Sequence, residues 1–76
     1  MEDLFTTSIA VNNRNVIYKV IFDKEQYVFI SQEEVREHGR FAFIRTHDEW
    51  VGQDEVPLGI RKQAIDALER YLLKQH

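Results

Sequence analysis

The chain has 76 residues and a formal net charge of −3, enough for one small domain that buries only about 60% of its extended surface. With 43% hydrophobic and 30% charged residues it has the composition of a folded chain rather than a disordered one. It has no cysteine, which excludes a disulfide framework and thiolate chemistry, and its acidic balance argues against a strong nucleic-acid footprint.

Residues 1–3 read as a loose start. Leu4 to Val11 alternates with period two and predicts strand one, with Phe5, Ile9 and Val11 on one side and Thr6, Ser8 and Ala10 on the other. Asn12, Asn13, Arg14 and Asn15 predict a turn, because asparagine tolerates the left-handed region. Strand two is expected over residues 16–22 and strand three over 26–31, joined by a polar turn at residues 23–26.

Closing the first hairpin on Asn13 and Arg14 sets Val11 against Val16 and Phe5 against Phe22. Closing the second on Lys24 and Glu25 sets Phe22 against Tyr27 and Val20 against Phe29. One face then collects Phe5, Ile9, Val11, Val16, Tyr18, Val20, Phe22, Tyr27 and Phe29. The other collects Thr6, Ser8, Ala10, Ile17, Lys19, Ile21, Val28 and Ile30.

Ser31 and Glu34 have capping-box spacing and Gly39 suits a helix C′ position, so residues 31–40 are expected to hold one or two exposed helical turns, with a plain polar loop as the alternative. Strand four is expected over residues 41–46, with Phe41 and Phe43 on one side and Ala42 and Ile44 on the other. Residues 47–56 read as a connection, with Trp50 plugging the core edge beneath it.

From Pro57 to Lys74, Ile60, Ala64, Ala67, Leu68, Tyr71 and Leu72 recur at steps of three and four, and Leu58 and Ile65 widen the stripe. This is an amphipathic helix that must bury one face. Pro57 is expected in its first turn, with Asp54 and Glu55 ahead of it where the helix dipole favours negative charge. Lys62–Asp66 and Asp66–Arg70 have the four-residue spacing of helical ion pairs. The expected fold is α+β, a single domain over residues 1–76: a four-stranded antiparallel meander with the C-terminal helix across its more aromatic face.

Functional signals are sparse. His47, Asp48 and Glu49 are adjacent and so do not converge as metal ligands or an acid–base pair should; a polar turn explains them better. His38 sits in a polar stretch, and an exposed position is the simpler reading than a pH-sensitive contact. Glu33, Glu34 and Glu37 fit a solvated surface. The sequence has no glycine-rich phosphate loop, nucleophile elbow, zinc signature or calcium loop, and a chain this short rarely encloses an active-site pocket beside its core. No cofactor or metal is expected, and an enzyme is disfavoured.

Without a signal-peptide core or an apolar membrane span, the expected location is the cytoplasm. The strongest feature is the sheet face left over by the helix. There Ile17, Lys19, Ile21, Val28, Ile30 and Ile44 form a candidate interaction surface for a protein partner or a second copy, unless residues 31–40 fold back over it. The alternative is a nucleic-acid or regulatory module contacting phosphates through Arg36, Arg40 and Arg45, whose field nearby carboxylates largely cancel.

Overall fold

A computed structural model describes residues 1–75; His76, which carried no signal in the sequence, lies outside them. Among the described residues five strands and one helix follow one another as β1 (Glu2–Val11), β2 (Arg14–Asp23), β3 (Gln26–Ser31), β4 (Arg40–Thr46), β5 (Glu49–Gly52) and α1 (Leu58–Lys74). The sheet is an antiparallel meander in the order β1-β2-β3-β4-β5. It has one strand more than the four expected. Glu49–Gly52 pairs with β4, setting Arg45 opposite Trp50 and Ile44 opposite Val51.

Three hairpins share one device. Asn12 and Asn13, Lys24 and Glu25, and His47 and Asp48 all have positive φ, from 47° to 70°. Each pair is the two-residue loop of its hairpin. Paired positive φ values match the right-handed twist of the flanking strands. The first hairpin therefore turns on Asn12–Asn13 rather than Asn13–Arg14, because two asparagines accept the left-handed region more readily than an arginine does. Ile9 consequently faces Val16, and Phe5 faces Val20. The register moves by two residues, which leaves every side chain on its expected face. The second hairpin has the expected register, with Phe22 opposite Tyr27 and Val20 opposite Phe29.

The ladder slips once, between Asp3 and Phe5 in β1. The extra residue is Leu4, and both Leu4 and Phe5 pack against the helix-side core. A bulge of this kind sends two consecutive side chains inward and sharpens the local twist.

The main core lies between the sheet and α1. Tyr18, Phe29, Phe41, Phe43, Ile9, Val16 and Val20 meet Ile60, Ala64 and Leu68 there, all fully or almost fully buried. Phe29 and Phe41 stack with ring centroids 5.0 Å apart, while Phe43 meets Phe29 edge-on at 5.9 Å. Trp50 is buried beside Tyr27, 5.3 Å away and edge-on. At the helix's far end Phe5 stacks on Tyr71 at 4.9 Å. Leu58, expected to widen the buried stripe, is 61% exposed instead, while Ile60, Ala64 and Leu68 at steps of four are buried.

The helix begins one residue after its expected start. Pro57 is the N-cap, and its carbonyl accepts the Arg61 N–H at 3.0 Å. Asp54 does not sit at the helix dipole: its carboxylate accepts the Ala42 N–H at 3.0 Å and ties the β5–α1 connection back to β4. On the helix surface Asp66 pairs with Arg70 at 2.8 Å; among the described residues Lys62 forms no matching bridge to Asp66.

Both edges of the sheet touch α1. On β1 the Ala10 N–H donates to Gln63 Oε1 at 2.8 Å, and Gln63 Nε2 donates to the Ala10 carbonyl at 3.1 Å. On β5 the Trp50 carbonyl accepts Arg61 Nη2 at 2.9 Å. Arg61 and Gln63, two residues apart on the helix, thus reach opposite edges of the sheet.

Residues 32–39 form no helix. Ser31 Oγ accepts the Glu33 N–H at 3.1 Å, a hydroxyl turn spanning two residues instead of a capping box. His38, not Gly39, takes the left-handed conformation, with φ 60°. Val35 is the segment's only apolar residue, too little to hold an amphipathic helix against the sheet.

Candidate interaction surface

The second sheet face is built in rows. Asp3, Ile21, Val28 and Ala42 oppose one another across β1 to β4, and beside them run Thr6, Lys19, Ile30 and Arg40. Ile44 and Val51 form a pair across β4 and β5, and Ile17 lies two residues along β2 from Lys19. Alternation fixes these positions, because each residue is an even number of steps from its strand neighbours on the same face.

Burial on this face is graded. Ile21, Val28 and Ala42 are 4%, 3% and 7% exposed and form a small apolar cluster with half-buried Ile30. Every member of that cluster comes from the sheet itself, and neighbouring side chains shield it. Lys19 Nζ reaches Asp3 Oδ2 at 2.9 Å across the β1–β2 rows. Outside the cluster, Ile17 and Val51 are each 44% exposed. Val51 and Ala42 belong to the surface but were not among its expected members. Val51 lies on the strand that the sequence did not reveal.

Residues 31–40 do not fold over this face. Val35 packs against the helix-side core, and the Tyr18 hydroxyl donates to the His38 carbonyl at 2.7 Å on that side. Burial, and then the Glu33 charge, push the Tyr18 phenol above its ordinary pKa. Glu33 pins the loop to β2: Ile17 N–H donates to its Oε2 at 3.1 Å, and Arg14 Nη2 meets its Oε1 at 2.7 Å. The Ile17 N–H, followed by the Arg14 guanidinium, holds the Glu33 carboxyl below its usual range. These contacts extend the β2 edge beyond the end of β3, where the Gln32 N–H donates to the Ile17 carbonyl at 2.8 Å.

The arginines do not converge. Arg40 stands on the second face opposite Ile30. Arg45 lies on the helix side, its guanidinium 4.7 Å from the Trp50 ring centre and 3.8 Å from Glu69. Arg36 belongs to the loop beside Val11 and Val35. His47 and Asp48 are the central residues of the β4–β5 hairpin, and the Asp48 side chain is fully exposed. Among the described residues, no cluster of His, Asp and Glu is arranged to hold a metal ion.

Among the described residues, no helix is long and apolar enough to cross a membrane. Comparison with protein-family models, with curated proteins and with solved structures returns no match for this chain.

Proposed function

We propose that this protein is a non-catalytic interaction module that self-associates through the second face of its sheet. One observation carries the reading: partly exposed Ile17, Val51, Ile30 and Ile44 surround the buried Ile21–Val28–Ala42 cluster, and the loop able to cover that face packs on the other side. Covering such a face removes its remaining apolar area from water, at about 25 cal/mol per Å².

A second copy suits the charge pattern. Asp3, Asp23 and Glu49 stand against Lys19 and Arg40 on this face, so it is close to balanced and does not select a strongly acidic or basic partner. A two-fold axis that sets the Asp3 row of each copy against the Lys19–Arg40 row of the other brings opposite signs together, with each row contacting the other reciprocally as in an isologous interface. Two sheets packed in this way stand about 10 Å apart.

Sedimentation at micromolar concentrations tests this. The wild type is expected to form dimers, and Ile17→Lys combined with Val51→Lys is expected to sediment as a folded monomer. A wild type that stays monomeric, or a double variant that associates equally well, rejects the proposal. Both positions are 44% exposed, so the variants spare the core.

A further inference from the structure

We propose that the groove between β1 and α1 is a second, separate binding site, taking an extended acidic segment of another protein as a sixth strand on β1.

The outer edge of β1 presents backbone groups at alternate residues. Ala10 is one of these, as its two bonds to Gln63 show. The ladder continues without a slip from Val11 to Phe5, so Ser8 and Thr6 turn the same groups outward. Among the described residues, nothing engages them. Beside them an open groove of about 420 Å³ runs between the Phe5–Ser8 backbone and Gln63, Ala67, Arg70, Tyr71 and Lys74 of the helix.

Gln63 is already a stand-in for the missing strand. Its carboxamide bonds to both backbone groups of Ala10, as the peptide unit of a neighbouring strand would. The edge thus has the geometry to bind an amide, and two further outward residues are free to do so. The opposite edge is different: β5 has four residues, and Arg61 occupies the Trp50 carbonyl.

The walls choose the occupant. Phe5, Ala67 and Tyr71 give an apolar floor for alternate side chains. The charged lining is Asp66 against Arg70 and Lys74, one carboxylate to two cations, and Asp66 is already paired with Arg70 at 2.8 Å. Lys74 has no ion pair among the described residues and is the cation that meets a carboxylate of the incoming segment. A second copy's own β1 fits poorly, because the Gln63 of each copy blocks Ala10 and a symmetric pairing has only two free residues to work with. An antiparallel segment abutting Gln63 runs its C-terminal half toward Arg70 and Lys74.

The test is selection from a library of random octapeptides on immobilised wild-type protein, followed by fluorescence anisotropy with the best peptide. Selected sequences are expected to alternate β-branched residues with Asp or Glu. Their affinity should fall about ten-fold for Ser8→Pro, which removes an edge N–H that the fold does not use, and similarly for Lys74→Glu. Should Ser8→Pro fail to fold, Lys74→Glu decides alone. Ile17→Lys, on the other sheet face, should bind the peptide unchanged, which separates this site from self-association. No selected peptide, a peptide indifferent to Lys74→Glu, or dimers abolished by Ser8→Pro would overturn the proposal; the last result would make a second copy the occupant.

Discussion

Gln63 and Ala10 are joined through both backbone groups of a strand-edge residue by one side-chain amide, at 2.8 and 3.1 Å. The same Nε2 also donates to the Gly59 carbonyl at 3.2 Å, one turn back along the helix. This residue ties the helix to the sheet and closes the end of β1 to further pairing. Gln63→Ala is expected to cost about 1 kcal/mol, the net value of a hydrogen-bonded contact at a partly exposed site. Amide exchange at Ala10 should accelerate with it. Unchanged exchange would show that the contact holds nothing in place.

The second hairpin offers a stabilising change. Lys24 and Glu25 have φ of 52° and 67°, a region that costs an ordinary residue about 1–2 kcal/mol and glycine almost nothing. Glu25→Gly should raise stability by about 1 kcal/mol in urea titration, less what the freer unfolded chain gives back.

Core truncations should separate sharply from surface ones. Leu68 is fully buried and Leu73 is 74% exposed on the same helix. Leu68→Ala should cost about 2–5 kcal/mol. In a domain of this size that removes most or all of the folded population. Leu73→Ala should stay within about 0.5 kcal/mol. Equal effects would mean that the helix presents a different face.

Glu33 and Tyr18 give the loop at residues 32–39 opposite responses at the two ends of the pH scale. The folded state holds the Glu33 carboxyl low, chiefly through the Ile17 N–H, so its contribution is present above the ordinary glutamate pKa of 4.5 and is lost as pH falls through the depressed value. The Ile17 amide resonance should titrate with a midpoint below that of a free glutamate. Tyr18 is raised by burial, so its contribution is intact below 10.0 and disappears as pH climbs through the higher folded value. Its phenolate absorbance should emerge above the ordinary tyrosine range, together with loss of loop protection.

Much of this fold was legible because period two and period 3.6 are loud signals in β1, β2, β3 and α1. The division of the sheet into a helix side and an open side came from alternation alone, and survived a two-residue error at Asn12–Asn13 because an even slip preserves facing. β5 was missed for physical reasons. It has four residues, Trp50 is its one buried side chain, and its turn is His47–Asp48 rather than a glycine pair. Val51 was lost from the candidate surface with it. The path of residues 32–39 depends on Glu33 reaching Ile17 and Tyr18 reaching His38, tertiary contacts with no local pattern. Nor does composition announce that Gln63 and Arg61 reach opposite sheet edges, since a glutamine and an arginine on a helix surface read as solvated.

Self-association through the open sheet face is read out by the concentration dependence of methyl resonances. Ile17, Ile30, Ile44 and Val51 are expected to shift together between dilute and concentrated protein, while Leu68 and Leu72 of the helix stay in place. Shifts confined to the helix, or none on the open face at any concentration, would contradict that self-association.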